Sequence, residues 1–124
     1  MKHLSYIFAL LVALATTTPL QAQETALPDE NFHIYLCFGQ SNMEGCGPIE
    51  VQDTMDISNR FLMMASVDMP QLGRVRGEWY RAVPPLTVPY GGLSPADYFG
   101  RTMLENLPQE VKVGIINVAV GGCK

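Results

Sequence analysis

Two apolar runs of strand length and one stretch of helical periodicity organise the chain. Phe32, His33, Ile34, Tyr35, Leu36, Cys37 and Phe38 are apolar at nearly every position and rich in β-branched and aromatic types, with Asp29 and Glu30 before them and Gly39 after. Continuous apolarity, in place of alternation, predicts a strand covered on both faces of a parallel sheet. Residues 111–118 have the same character and also stop at glycines, Gly121 and Gly122. Between the two runs, Ser94, Pro95 and Asp97 read as a helix start: a capping hydroxyl, a proline at the first helical position, and an acid completing a capping box. Tyr98, Phe99, Met103, Leu104 and Leu107 then recur at helical spacing on one face, and Pro108 closes the element. Strand, helix and strand make a βαβ unit whose two strands end in glycine turns on the same edge of the sheet.

The stretch 47–92 is less regular. Residues 60–65 predict a short strand, followed by turns around Pro70, Gly73 and Gly77 and an extended segment at Val83, Pro84, Pro85 and Leu86. A long insertion over the C-terminal edge of a parallel sheet is commonly a substrate-binding surface. Trp79 and Tyr80 lie in it, suited either to stacking on a flat ligand such as a sugar ring or to plain core packing.

The N-terminus changes the picture of the whole chain. Lys2 and His3 precede an almost unbroken apolar run from Tyr6 to Ala15, and Ala22 offers a small residue at a cleavage point before Gln23. A basic start, a short apolar core and a small residue at the cut predict a secretory signal over 1–22, and an exported, periplasmic or secreted domain over 23–124. The apolar run falls short of the roughly twenty residues that a spanning helix needs, so no stable membrane anchor is expected. With 8 Lys+Arg against 12 Asp+Glu and a net charge of -4 in 124 residues, no basic stripe is available for nucleic acid. Three cysteines, Cys37, Cys46 and Cys123, leave at least one thiol unpaired. Cys46 and Cys123 follow the two glycine turns, so convergence of the turns would bring them toward disulfide range. They offer no zinc-type ligand spacing, and the chain calls for no metal and no cofactor.

Gly39, Gln40, Ser41, Asn42 and Met43 stand where the first strand ends. A serine there projects from the edge at which open α/β sheets bind ligands, and the following turn can aim amide N–H groups at a developing oxyanion. Most serines after a strand are turn formers or helix caps. The spacing of the common nucleophile elbow is also unmet, because Met43 occupies its second glycine position. Residue chemistry alone therefore leaves Ser41 open between nucleophile and cap.

The block from Gly39 to Met43 resembles the first motif of the GDSL/SGNH esterases in their sialate O-acetylesterase and carbohydrate esterase family 6 (acetylxylan esterase) branch. Asn117, Val118, Ala119, Val120, Gly121 and Gly122 are similar to the second, and the stretches 79–86 and 92–100 are also like acetylxylan-esterase members. The likeness runs from Phe32 to Lys124. It implies a flavodoxin-like three-layer α/β/α fold around a parallel sheet, of which this chain is the N-terminal part with the C-terminal part missing. It implies that Ser41 is the nucleophile that attacks an acetyl ester of a sugar or polysaccharide and forms an acetyl-enzyme. It further implies an oxyanion hole from the N–H groups of Ser41 and of Gly121 or Gly122, with Gln40, Asn42, Trp79 and Tyr80 as substrate-binding candidates. The family's third motif, a Gln with a nearby Glu, and its Asp-x-x-His general base have no counterpart here.

Of the two histidines, His3 falls in the signal segment. His33 precedes Ser41 by eight residues along a strand, roughly 26 Å at ~3.3 Å per residue. A general base must lie within about 3 Å of the hydroxyl or one water away, so His33 cannot serve. The expectation is an esterase segment that is inactive by itself. Two other readings remain open. One is a non-catalytic carbohydrate-binding module with Trp79, Tyr80, Tyr90 and Tyr98 as a stacking platform. The other is a nucleotide-binding flavodoxin-like domain with residues 39–42 as a phosphate nest, although no Lys or Arg stands near that turn. Glu44 is expected in the first turn of a helix, where its charge is favourable, and not in the catalytic set.

Overall fold

The computed structural model describes residues 29–123; the signal-like segment 1–22, with His3, lies outside the described residues. Strand β1 (Phe32–Cys37) leads into a single helical turn, α1 (Ser41–Glu44). After a 3-10 turn at Val51–Thr54 come β2 (Phe61–Met64), a second 3-10 turn at Pro70–Leu72, and β3 (Trp79–Arg81). Helix α2 (Pro95–Glu105) and strand β4 (Lys112–Asn117) complete the order. The four strands form one sheet in the order β1-β4-β2-β3. β4 pairs in parallel with β1 on one side and with β2 on the other, while β3 joins β2 antiparallel. The βαβ unit expected from the apolar runs is therefore present, with β1 and β4 adjacent and α2 as the crossover, and the fold is α/β with a mostly parallel sheet.

Register sorts the side chains onto two faces. Val113 and Ile115 of β4 share a face with Phe61 and Met63 of β2, and all four are fully buried. Ala96 and Leu104 of α2 close over them, with Leu86, Ala82 and Met69 at the margin. Helix α2 starts as its sequence demands. The Ser94 hydroxyl accepts from Ala96 N at 3.2 Å, and Asp97 Oδ2 accepts from Ser94 N at 2.8 Å. Asp97 is fully buried, and burial pushes its carboxyl above the ordinary carboxylate value, outweighing the Ser94 hydrogen bonds and the nearby Arg101 that act the other way. Arg101 and Tyr98 brace the helix against Val51–Thr54: the Tyr98 hydroxyl donates to Asp53 Oδ1 at 2.6 Å, and Arg101 donates to the Asp53 carbonyl.

The opposite face is different from the expected one. β1 is an edge strand among the described residues, and Ile34 and Leu36 are each 52% exposed, so its continuous apolarity is covered on one face only. Toward the start of that strand, the Phe32 and Trp79 rings meet edge to face at 4.8 Å across Gly114. No helix of the described residues is long and apolar enough to cross a membrane.

Candidate active site

All three parallel strands deliver their C-terminal ends to one edge of the sheet. β1 runs through Phe38 and Gly39 into Ser41, β4 into residues 118–122, and β2 into Ser66 and Val67. The β1 and β4 exits are laced together by Val118 N to Cys37 O at 3.0 Å and Val120 N to Gly39 O at 3.2 Å. This lacing carries the ladder past the strands and sets the turn at Gly121 against α1. A Cβ on Gly121 would stand 3.8 Å from Ser41 Cα and 2.6 Å from Glu44 Oε2. The first is an ordinary contact and the second meets the mobile end of a side chain, so the Gly121 turn lies directly against α1 with the Glu44 carboxylate over it. Gly39 is the tighter position, since a Cβ there would stand 2.7 Å from the Met43 Cβ.

Asn117, the last residue of β4, fixes the relation between the two turns. Its Nδ2 donates to the Met43 carbonyl at 2.7 Å, and its Oδ1 accepts from Ala119 N at 3.1 Å. The side chain is fully buried and uses both ends of its amide, so α1 is tied to the β4 exit by a polar strut. Downstream, Gly47 N donates to Leu93 O at 3.1 Å and Gly92 N to Gly45 O at 2.8 Å, which stitches the loop after α1 to the segment that caps α2.

Ser41 is exposed, at the first position of α1. Among the described residues, the N–H groups of Ser41, Gly121 and Gly122 have no hydrogen-bond partner, and a short anionic oxygen at this edge would find donors there. Gln40 and Asn42 flank the serine and are exposed; Asn42 Oδ1 accepts from the Cys46 thiol at 3.3 Å. Cys46 and Cys123 are both free, so the disulfide that converging turns would allow is not formed: the turns meet through Ser41, Glu44 and Gly121, and the Cys46 thiol turns to Asn42. Cys37 is free and half-buried, and burial raises its thiol pKa. His33 sits near the start of β1, level with Val113, at the far end of the strand from Ser41.

Trp79 stands opposite Met64, the last residue of β2, and Tyr80 opposite Met63, but both side chains are engaged elsewhere. Trp79 is half-buried against Phe32, while Tyr80 packs on the core and its hydroxyl accepts from Val75 N at 2.8 Å. The Tyr98 ring has Arg101 over it at 5.0 Å and its hydroxyl donates to Asp53, while Tyr90, 81% exposed, is the most open of the four aromatics that a stacking platform would use. Glu44, set apart from the chemistry on sequence grounds, proves to be the side chain in contact with the Gly121 turn. It also lines a cleft of about 310 Å³ with Ser66, Thr87, Tyr90 and Val118 to Val120. Its position inside the first turn of α1 was legible from sequence; its nearness to Gly121 was not, because that contact spans most of the described chain.

An open, mostly parallel α/β sheet with an exposed serine at the carboxyl edge, unpartnered N–H groups in the adjoining turn and a cleft lined by the same segments has the layout in which such folds bind their ligands. Residues 31–124 match the family model described as SASA, carbohydrate esterase, sialic acid-specific acetylesterase, and the chain belongs to that family. The family carries the SGNH fold, and its activity is carbohydrate acetylesterase.

Proposed function

We propose that the chain carries the nucleophile of a serine carbohydrate O-acetylesterase of the acetylxylan or sialate type. The observation that carries this reading is the packing of Gly121 against Ser41 Cα, which supports unpartnered N–H groups sharing a site with an exposed hydroxyl. Ser41 Oγ attacks the acetyl carbonyl as a base removes its proton. The carbonyl oxygen takes the negative charge next to the N–H groups of Ser41 and of Gly121 or Gly122, and the sugar hydroxyl departs with the proton. Water then repeats the sequence on the acetyl-enzyme and releases acetate. Among the described residues His33 stands at the far end of β1 from Ser41, and the role of proton acceptor suits a histidine of the family's Asp-x-x-His type. The basic, apolar and small-residue succession over 1–22 supports export to the periplasm or the medium, where acetylated polysaccharide is met.

The test is acetate release from an acetylated oligosaccharide by the full-length protein and its Ser41→Ala variant. Loss of a triad nucleophile costs on the order of 10⁴–10⁶ in rate, so a variant within about tenfold of the parent overturns the assignment.

A further inference from the structure

The cleft beside Ser41 holds groups that acyl transfer does not use. Glu44, which lies next to Gly121, lines it together with Val118, Val120, Ser66 and Thr87. Thr87 is 2% exposed and contributes little polar surface to the cleft. Ser66 donates to the Thr87 carbonyl at 3.3 Å and keeps its lone pairs free to accept. At the rim Tyr90 is 81% exposed, a large aromatic face with nothing described packed on it. No Lys or Arg lines the cleft among the described residues, so the charge of Glu44 is uncompensated there.

We propose that this cleft is a sugar subsite selective for uncharged rings. Tyr90 stacks on the ring face, Ser66 and Glu44 bond the ring hydroxyls, and Glu44 turns away sugars that carry a carboxylate. A mostly apolar cleft with a few convergent polar groups and an aromatic is the usual make-up of a small-ligand site. A second carboxylate brought within several ångströms of Glu44 in a half-buried cleft is repelled by an amount equivalent to about tenfold or more in affinity. The proposal rests on the acetylesterase reading of Ser41 in that it takes the bound sugar to be the one that carries the ester.

The experiment is calorimetric binding to the full-length protein carrying Ser41→Ala, which holds ligand without turnover. The ligands are a mono-O-acetylated methyl glucopyranoside, its uronic-acid counterpart and an O-acetylated sialic acid. The neutral glycoside is expected to bind at least about tenfold tighter than either acid. Adding Glu44→Gln, which keeps the shape, narrows the gap to within about threefold by tightening the acids. Tyr90→Ala weakens the neutral ligand by about tenfold, and Tyr90→Phe restores it. Equal or tighter binding of either acid, an unchanged ratio in Glu44→Gln, or no binding of any of the three overturns the proposal. Fluorophosphonate labelling of Ser41 in the parent separates the two claims. Labelling without charge selectivity sinks the subsite alone; charge selectivity without labelling sinks the acetyl-enzyme alone.

Discussion

Replacing Asn117 should cost both stability and reactivity, because one buried amide holds two turns in register. Asn117→Ala removes the donor to the Met43 carbonyl and the acceptor of the Ala119 N–H. Ala119 is 3% exposed, so its N–H has no ready access to water; the Met43 bond is only part-buried and is counted at the lower end. Leaving a buried polar group unpaired costs about 1–3 kcal/mol, which places the variant about 2–4 kcal/mol below the parent. Asn117→Asp is a sharper probe, since it keeps an acceptor for Ala119 but sets a second oxygen against the Met43 carbonyl, and it should be no more stable than Asn117→Ala. Urea unfolding of the full-length protein measures the loss as a lower midpoint at unchanged slope. Under native conditions the labelling rate of Ser41 by a fluorophosphonate should also fall, by about tenfold to a hundredfold, because α1 is released from the Gly121 turn. A loss below about 0.5 kcal/mol with an unchanged labelling rate refutes the strut.

Three further outcomes follow from the packing. A Cβ on Gly100 would overlap the ring of the fully buried Phe61, so Gly100→Ala should destabilise the protein by about 1–3 kcal/mol or more in thermal or urea unfolding; a neutral result means that α2 is seated otherwise. The Asp97 carboxyl is raised in the folded state by burial, so its neutral form folds better: its favourable contribution is present below the ordinary value of 3.8 and is lost as pH rises through the raised value. Asp97→Asn should therefore gain on the parent as pH goes from acid toward neutral, and a stability difference that is flat with pH contradicts this. Because burial raises the Cys37 thiol while Cys46 and Cys123 are exposed, iodoacetamide should modify the latter two well before Cys37 in the native protein, as read by peptide mass spectrometry; equal rates count against a half-buried Cys37.

Much of the scaffold was written in local pattern. The runs that predict strands at 32–38 and 111–118 end within a residue or two of β1 and β4, and the short strand expected at 60–65 is β2. Ser94, Pro95 and Asp97 form the capping box that their spacing implies, because capping is a short-range matter of one hydroxyl and one carboxylate. What local pattern does not carry is which element neighbours which. The apolarity of Ile34 and Leu36 suits a strand covered on both faces, but it does not say that β1 lies at an edge of the described sheet with both side chains half exposed. Nor does the pattern separate Trp79 and Tyr80 as packing groups from Tyr90 as the exposed one, since their fates depend on Phe32, Gly114 and Val75 in distant segments. At the site, Ser41 and Gly121 were readable as strand-end residues, whereas Asn117 and Glu44 became visible only when the β1 and β4 exits were seen side by side.

The central claim is that Ser41 forms an acetyl-enzyme, and the most direct measurement is to catch that species. The full-length protein is mixed with an isotopically labelled acetyl ester, quenched in acid within the first turnovers, digested and read by mass spectrometry. The account requires the labelled acetyl group on the peptide containing Ser41, absent from Ser41→Ala. Steady release of labelled acetate with no acetylated Ser41 peptide at any quench time, or an acetyl group carried on another residue, would contradict it.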